Sequence, residues 1–269
     1  LLVLDRSASM MEHKVPPANV WRWEAVVPAL TTVITATDAS VSWGLKLFPE
    51  GQGEACVATG VTADIPVQIA PANAAVVTAK ILATAASGNG TPTGDAIRAG
   101  TAYLKSRNAS NQFMLLATDG DPSCPAKPDD AAEMDTVKAL TEAAAAGFRT
   151  YVIGVLDPVK DTGKFPILNA MAEAGGTSRS DNPIGDKYYQ ANSEAELTAA
   201  LQAVTGQVAS CVFEFDKKPP DETNIAVKVN GALVTQDKTK AEGWDYTSDQ
   251  YMGLELHGEA CKQVKDATD

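Results

Sequence analysis

The chain contains few of the side chains that build zinc sites or histidine-based catalytic sites. His13 and His257 are its only histidines, and its four cysteines include no Cys-x-x-Cys pair. Zinc sites need clustered imidazole or thiolate ligands, so the sequence argues against a site of that kind. A catalytic triad would also have to recruit one of these two histidines, and the second lies in the C-terminal tail.

The sequence also lacks long apolar runs and an excess of basic residues. No stretch approaches the roughly 18 apolar residues of a membrane span, so we expect no direct membrane span in this chain. The formal net charge is −12, which argues against nucleic acid and anionic membranes as partners because both need a basic surface. Leu1 begins inside a predicted core strand, so we expect an export signal or anchor upstream of this fragment.

Signature motifs of common enzyme classes are missing as well. The sequence has neither a Gly-x-Ser-x-Gly nucleophile elbow nor a Gly-x4-Gly-Lys-Ser/Thr phosphate loop. A phosphoryl-transfer site of the aspartyl type would need a second acid where the chain has Ser7. We therefore expect that the chain is not an enzyme, and a metal-dependent hydrolase is a remote alternative.

The sequence does contain an alternation of buried strands and helices over its first 208 residues. Continuous apolar runs such as Phe113–Ala117 and Thr150–Leu156 are typical of strands covered on both faces. Helical patterns lie between the strands, for example at Pro71–Ala86. This order predicts an α/β domain over residues 1–208, with a doubly wound, mostly parallel sheet flanked by helices. The alternating segment Val41–Phe48 is expected to belong to an antiparallel edge pair.

The pattern changes at about Ala209. From Cys211 onward helical spacing disappears, and short β-like runs separated by turns take its place. Among these turns, Asn230-Gly231 is typical of a type I′ hairpin. Residues 209–269 are therefore predicted to form a small antiparallel β module. A module of this size has little core, so a disulfide bond would stabilise it.

The cysteines favour an exported protein. Two disulfide bonds are the interpretation we prefer over four free buried thiols, and they place the chain outside the cell or on its surface. The pairings Cys56–Cys124 and Cys211–Cys261 keep each bond within its own segment of the chain. The first of these would join the loop after Val41–Phe48 to the loop just past Asp119.

Three loops carry oxygen-bearing side chains to one predicted edge of the sheet. Asp5, Ser7 and Ser9 follow the first strand in an Asp-x-Ser-x-Ser pattern. Thr93 lies in a Gly-Thr-Pro-Thr-Gly loop that opens a helix, and Asp119 follows a buried strand in a Thr-Asp-Gly sequence. Open α/β sheets bind ligands beyond the carboxyl ends of their strands. Oxygen ligands of this hardness suit Mg²⁺, Mn²⁺ or Ca²⁺.

Together the three motifs resemble the metal-ion-dependent adhesion site of von Willebrand factor A domains. The resemblance covers about residues 1–206, with the elements in the same order. It implies one divalent cation, with Mg²⁺ favoured and Ca²⁺ or Mn²⁺ as alternatives. It also implies that a carboxylate of a protein or surface partner completes the coordination of this cation. The metal ligands implied are Asp5, Ser7, Ser9, Thr93 and Asp119.

A narrower similarity rests on the Gly-Thr-Pro-Thr-Gly loop, the cysteine pairs and the end of the tail, Gly258-Glu259-Ala260-Cys261. These features resemble secreted or outer-membrane-anchored A-domain proteins of gliding predatory bacteria, some of which are adhesins. The resemblance implies a module for metal-dependent adhesion or protein–protein recognition. The alternative is a structural scaffold component of a cell-surface machine, in which the metal only stabilises the fold.

Overall fold

The structure is a computed structural model. In it the chain forms two compact units. These units are Leu1–Gln202 and Ala203–Asp269. This division does not test the domain boundary expected at residue 208, which stays a prediction. The described residues are 1–16, 19–50, 56, 62–107, 109, 112–120, 122–124, 131–157, 159–179, 185–191, 194–208, 211–215 and 217–266.

The first unit is built on a six-stranded sheet within the described residues, in the order β5-β4-β1-β6-β7-β8. Parallel pairing joins β1 to β4 and β6, β6 to β7, and β7 to β8, whereas β5 runs antiparallel to β4. A separate hairpin joins β2 and β3. The strands are β1 (Leu2–Asp5), β2 (Lys14–Val15), β3 (Val20–Trp21), β4 (Trp43–Phe48), β5 (Val67–Ala70), β6 (Phe113–Thr118), β7 (Arg149–Val155) and β8 (Tyr189–Ala191).

Three of the helices that accompany this sheet pack against it through apolar faces. One core cluster joins Val3 of β1 and Leu116 of β6 to buried aliphatic side chains of three helices, among them Ile97, Leu140 and Leu168. The helices are α1 (Arg22–Ala36), α2 (Ala74–Leu82), α3 (Thr93–Ser106), α4 (Ala131–Ala145), α5 (Phe165–Ala174) and α6 (Glu194–Val208), with short 3₁₀ helices at Ala8–Met11 and Thr162–Lys164.

The mostly parallel α/β sheet and the antiparallel edge pair predicted from the sequence are confirmed, with two corrections that concern helices. Strand β4 pairs antiparallel with the edge strand β5, as expected, but its other side pairs in parallel with β1, so β4 is internal. Helix α2 is shorter than the predicted Pro71–Ala86. Helix α1 is absent from the sequence predictions, although Val26, Leu30 and Val33 recur at helical spacing and are fully buried.

The second unit contains a three-stranded antiparallel sheet, β12-β13-β9, and a separate β10-β11 hairpin. The hairpin turns at Asn230 and Gly231, both with positive φ (50° and 81°), as the sequence predicts for a type I′ turn. The tail also contains a helix, which corrects the expectation that helices stop before Cys211. The elements are β9 (Val212–Glu214), β10 (Val227–Val229), β11 (Ala232–Val234), β12 (Gly243–Tyr246), β13 (Gly253–His257) and α7 (Gly258–Asp266).

A disulfide bond crosses the second unit. It joins Cys211, just before β9, to Cys261 in α7, with their Cα atoms 5.4 Å apart. The small core of this unit contains aromatic side chains. The ring of Trp244 packs edge-on against that of Tyr246, with the ring centroids 5.3 Å apart. Across the part of the chain that the structure describes, no helix has the length and apolar character of a membrane span.

Candidate metal centre

The candidate site lies where β1 and β6 end side by side. These strands pair in parallel, with Leu4 opposite Ala117, so the segments that follow them leave the sheet at the same edge. Asp5 is the last residue of β1, and Asp119 comes directly after β6. Both carboxylates are fully buried. The sheet therefore brings together two acids that stand 114 positions apart in the sequence.

Hydrogen bonds hold the Asp5 carboxylate at both oxygens. Its Oδ1 accepts from the backbone N–H of Ser7 at 2.8 Å, and its Oδ2 accepts from the Thr118 hydroxyl at 2.7 Å. The Thr118 oxygen in turn accepts from the N–H of Gly120 at 3.1 Å. A chain of three polar groups thus links the end of β1 to the Thr-Asp-Gly turn after β6.

The two serines of the first motif are directed to one place. The Ser7 and Ser9 hydroxyl oxygens lie 3.0 Å apart and share a hydrogen bond. The short 3₁₀ helix Ala8–Met11 turns the chain tightly enough to bring alternate residues together. Hydroxyl oxygens at this separation are close enough to act as neighbouring ligands of one hard cation.

The two oxygens of the Asp119 carboxylate have different surroundings. Arg22 donates to Oδ2 from Nη1 at 2.5 Å, and the Lys164 ammonium lies 3.6 Å from the same oxygen. The other oxygen, Oδ1, is buried and has no hydrogen-bond partner among the described residues. A buried carboxylate oxygen without a donor is costly. It is the atom in this cluster that most clearly lacks a positive partner.

Thr93 lies on a loop that is hydrogen-bonded to the segments carrying the other two motifs, one after β1 and one after β6. Its side chain is fully buried at the first turn of α3, and among the described residues its hydroxyl has a single long contact, 3.5 Å to the carbonyl of Thr91. Thr91 exchanges hydrogen bonds with Ser123, which lies past Asp119. Upstream, the N–H of Ala8 donates to the carbonyl of Gly88 at 3.1 Å. Within the described residues, no hydrogen bond joins Thr93 directly to the other four side chains.

The electrostatics of the site are dominated by two acidic side chains that are both buried away from water. Burial, together with the nearby charge of Asp119, raises the pKa of Asp5 from its ordinary 3.8 to about 7, against the opposing hydrogen bonds from Ser7 and Thr118. Two neighbouring buried carboxylates resist being ionised together unless a cation lies between them. A cation between them would therefore stabilise the site most at neutral or higher pH.

Sequence reasoning did not find the basic residues of this site. Arg22 starts α1 in a segment where the sequence predicted no element, and it is fully buried. Besides Asp119 it contacts Asp161, on the loop after β7. Lys164 ends the 3₁₀ helix that precedes α5. Nothing in the local pattern distinguishes these residues from ordinary surface charges, because only the tertiary fold carries them to the sheet edge.

A disulfide bond borders the candidate site. Cys56 and Cys124 are joined with their Cα atoms 5.0 Å apart, which matches the pairing expected from the sequence. Cys124 follows Ser123, whose hydroxyl accepts from the Thr91 N–H at 2.7 Å. The bond thus fixes the segment just past Asp119 that also supports the threonine loop. A rigid border helps to keep the loops that carry the candidate ligands in one arrangement.

The donor set fits a hard divalent cation. It offers two carboxylates and three hydroxyls, with the unpaired Oδ1 of Asp119 and the paired hydroxyls of Ser7 and Ser9 as the clearest available ligands. Within the described residues, no three His, Cys, Asp or Glu side chains cluster so as to hold a metal ion. The carboxylates alone are too few, so the hydroxyls are essential to the fit.

The comparisons with known proteins agree with this fold. The sequence profile of the von Willebrand factor type A domain matches residues 1–203. No curated protein sequence matches the chain.

Solved structures of low sequence identity share the fold. The PilB minor pilin of Streptococcus sanguinis is 14% identical over 77% of this chain and 61% of its own, with a TM-score of 0.55. The pilus adhesin SpaC of Lactobacillus rhamnosus GG is 15% identical over 95% of this chain and 37% of its own, with a TM-score of 0.56. Manganese-loaded TRAP protein of Plasmodium vivax is 16% identical over 74% and 70%, with a TM-score of 0.50.

The chain thus spans less than two thirds of PilB and SpaC, the longer proteins that it resembles. At these identities the likeness establishes the fold, whereas the profile match covers most of the chain. The chain accordingly belongs to the von Willebrand factor type A domain family over residues 1–203.

Proposed function

We propose that this domain holds one divalent cation and uses it to recognise a carboxylate of a partner molecule at the cell surface. The observation that carries the proposal is the buried Oδ1 of Asp119, which lacks a partner among the described residues at the same sheet edge as Asp5. A cation there would neutralise both acids. Mg²⁺ is the ion of choice, with Mn²⁺ and Ca²⁺ as alternatives, because all three take oxygen ligands.

The proposed ligands divide into two chemical types. Ser7, Ser9 and Thr93 would offer neutral hydroxyl oxygens, whereas Asp5 and Asp119 would supply negative charge directly or through water. The cation would contribute Lewis acidity toward an incoming carboxylate. Ligand sets that are mostly neutral leave a cation able to bind a further anion. The residues of the chain orient and desolvate this position.

A binding role is supported by the surroundings of the site and by the structural neighbours. The histidines that could act as a general base are limited to two in the whole chain, and His257 belongs to the second unit. The neighbours PilB and SpaC are a minor pilin and a pilus adhesin. Together with two disulfide bonds, they support a protein located outside the cell or on its surface.

The test of cation binding is a calorimetric titration of MgCl₂, repeated with MnCl₂ and CaCl₂. Ser7→Ala should weaken binding at least about tenfold, since one hydroxyl ligand is lost. Ser106→Ala is the matched control, because that hydroxyl only caps a helix carbonyl at an exposed position of α3. If the wild type and Ser7→Ala bind Mg²⁺ with the same affinity, the proposed site is wrong.

The test of recognition uses the fluorescently labelled domain on intact cells. Binding should require Mg²⁺, disappear with EDTA and disappear in Asp119→Asn. Free aspartate or acetate should compete, whereas acetamide should not, because it lacks the charge. A domain that is stabilised by Mg²⁺ but binds no cells or carboxylates would instead support the scaffold role.

A further inference from the structure

The second unit contains an apolar cavity that is separate from the candidate metal centre. Its volume is about 350 Å³, which lies within the range of ligand sites in proteins. Strands β9 and β13 contribute Phe213, Leu254 and Leu256 to its lining, and α7 contributes Val264. The rest of the lining is formed by residues 227–230, which are β10 and the first residue of the hairpin turn.

The part of the cavity wall formed by residues 227–230 is the edge of a strand. Successive side chains of a strand point to opposite faces, so a cavity over one face would meet every second residue. This cavity meets four consecutive residues, and within the described part of the chain no residue of β11 lines it. It therefore lies along the edge of β10 that faces away from β11.

The main-chain groups of Lys228 point to that edge. The hairpin turns through two residues, so Val229 and Ala232, which flank the turn, form a hydrogen-bonded pair. Lys228 pairs with Leu233 at the next position, where the pair is not hydrogen-bonded. Its N–H and C=O therefore point away from β11, and no hydrogen bond reaches them from the residues that the structure describes. An unpaired strand edge is a template for another strand.

The side chains around this edge define the strand that fits it. Val229 is buried and Val227 packs against the same small core, so the apolar side chains of β10 face inward. Lys228 is exposed and is the one charged residue in the lining of the cavity. Phe213, across the cavity, is 41% exposed. A strand beside β10 would cover Phe213 with apolar side chains and place an acidic side chain next to Lys228 on its outer face.

We propose that this edge of β10 is a second binding site, which takes an extended peptide segment of a partner protein as an added strand. The segment carries apolar side chains at alternate positions, directed into the cavity, and acidic side chains at the positions between them. Main-chain hydrogen bonds to Lys228 supply affinity, whereas the cavity and the lysine charge supply selectivity. An acyl chain fits less well, because it would leave the N–H and C=O of the strand edge unpaired.

The experiment measures the binding of a labelled peptide, fluorescein-Thr-Val-Glu-Val-Glu-Val-Thr-amide, to the whole chain by fluorescence anisotropy. All titrations contain EDTA, so that the glutamates cannot bind through a cation, and about 0.15 M salt, which screens distant charges. The peptide should bind saturably below about 1 mM. Methylation of the main-chain nitrogens of its three central residues should weaken binding at least about tenfold, because strand pairing is then blocked. Replacing both glutamates by lysine should weaken binding about fivefold, since like charges then meet at Lys228.

Lys228→Pro removes the main-chain donor at the edge. Proline is tolerated in an edge strand where the N–H would face outward, so the hairpin should remain intact while binding falls at least about tenfold. Leu233→Pro is the matched control, because it places the same residue at the paired position of the hairpin, on the edge away from the cavity. Its side chain is exposed, and its affinity for the peptide should equal that of the wild type. Melting curves verify that both variants are folded.

Two further measurements do not depend on the proline variants. Lys228→Gln keeps the main-chain groups and removes only the charge, so the preference for the glutamate peptide over the lysine peptide should fall to less than about twofold. In the wild type, hydrogen exchange at the Lys228 N–H should slow when the peptide is added, because this donor becomes hydrogen-bonded.

Each opposite result overturns the proposal. It is wrong if the peptide does not bind, if the N-methylated peptide binds equally well, or if Lys228→Pro and Leu233→Pro bind alike. Decanoate that displaces the peptide and binds Lys228→Pro with unchanged affinity would assign the cavity to an acyl chain. Dimerisation of the wild type that Lys228→Pro abolishes, without any binding of the peptide, would assign the edge to a second copy of the chain.

Discussion

Replacing Asp5 by asparagine should stabilise the cation-free domain while abolishing its response to Mg²⁺. Asparagine has nearly the shape of aspartate. Its side-chain carbonyl can accept from the Ser7 N–H, and its amide can donate to the Thr118 oxygen, since that hydroxyl is free to rotate. The substitution removes a buried negative charge that burial and Asp119 both disfavour. A proposed metal ligand is thus expected to destabilise the cation-free fold.

The magnitude follows from the pKa. Burial raises the pKa of Asp5 from 3.8 to about 7, so the folded protein holds this proton more tightly than the unfolded chain. The stability contributed by the neutral form is lost as the pH rises from about 4 through 7. At 1.36 kcal/mol for each pH unit, the ionised carboxylate costs about 4 kcal/mol above pH 7. Asparagine loses charge-assisted hydrogen bonds, so we expect a net gain of about 2–3 kcal/mol at pH 8.

The assay is urea denaturation in EDTA at pH 8 and pH 5. The gain in free energy of unfolding from Asp5→Asn should be about 2–3 kcal/mol smaller at pH 5, because Asp5 of the folded wild type is already neutral there. Adding Mg²⁺ at pH 8 should stabilise the wild type and leave the variant unchanged. Asp249→Asn, at an exposed position of the second unit, should show neither effect. If Asp5→Asn is no more stable than the wild type at pH 8, or if its gain in stability is the same at both pH values, the reasoning is refuted.

Three further predictions concern stability and are measured by chemical denaturation. Gly120→Ala should cost about 2 kcal/mol, because this residue has a φ of +90° and an added Cβ would lie 3.0 Å from a leucine of α5. Gly147→Ala, at a φ of +91° with open space around it, is the control and should cost about half as much. The double variant Cys211→Ser/Cys261→Ser should destabilise the second unit by about 4 kcal/mol, because the bond closes a loop with a sequence separation of 50. The fluorescence of Trp244, the one tryptophan of this unit, reports its unfolding. Tyr188→Phe should be neutral or stabilising by about 1 kcal/mol, because this hydroxyl is buried without a hydrogen-bond partner among the described residues and burial raises its pKa.

The first unit was largely predictable because its strands and most of its helices carry strong local patterns. Phe113–Ala117 is apolar without interruption, and the structure places it in β6 between two parallel neighbours. Helix α1 was missed although Val26, Leu30 and Val33 recur at helical spacing, because Pro28 inside this segment argues against a helix.

The tail was less predictable, since its core is small and depends on distant contacts. Helix α7 follows β13 directly, and its residues Gly258–Asp266 are mostly polar. Few apolar positions therefore indicate a helix in this segment. The disulfide through Cys261 and the packing of Val264 into the small core anchor it. Contacts of this kind override weak local preference.

The amino-acid sequence alone determined the alternation of strands and helices and the three motifs that carry the candidate ligands, because these depend on short-range periodicity and on fixed spacing. The tertiary structure alone decided which charges surround Asp119, since Arg22 and Lys164 arrive from α1 and from the loop before α5. Charge balance at a buried site is a sum over all neighbours in space. No local window of sequence contains those neighbours, so the set of charges around Asp119 is a property of the fold.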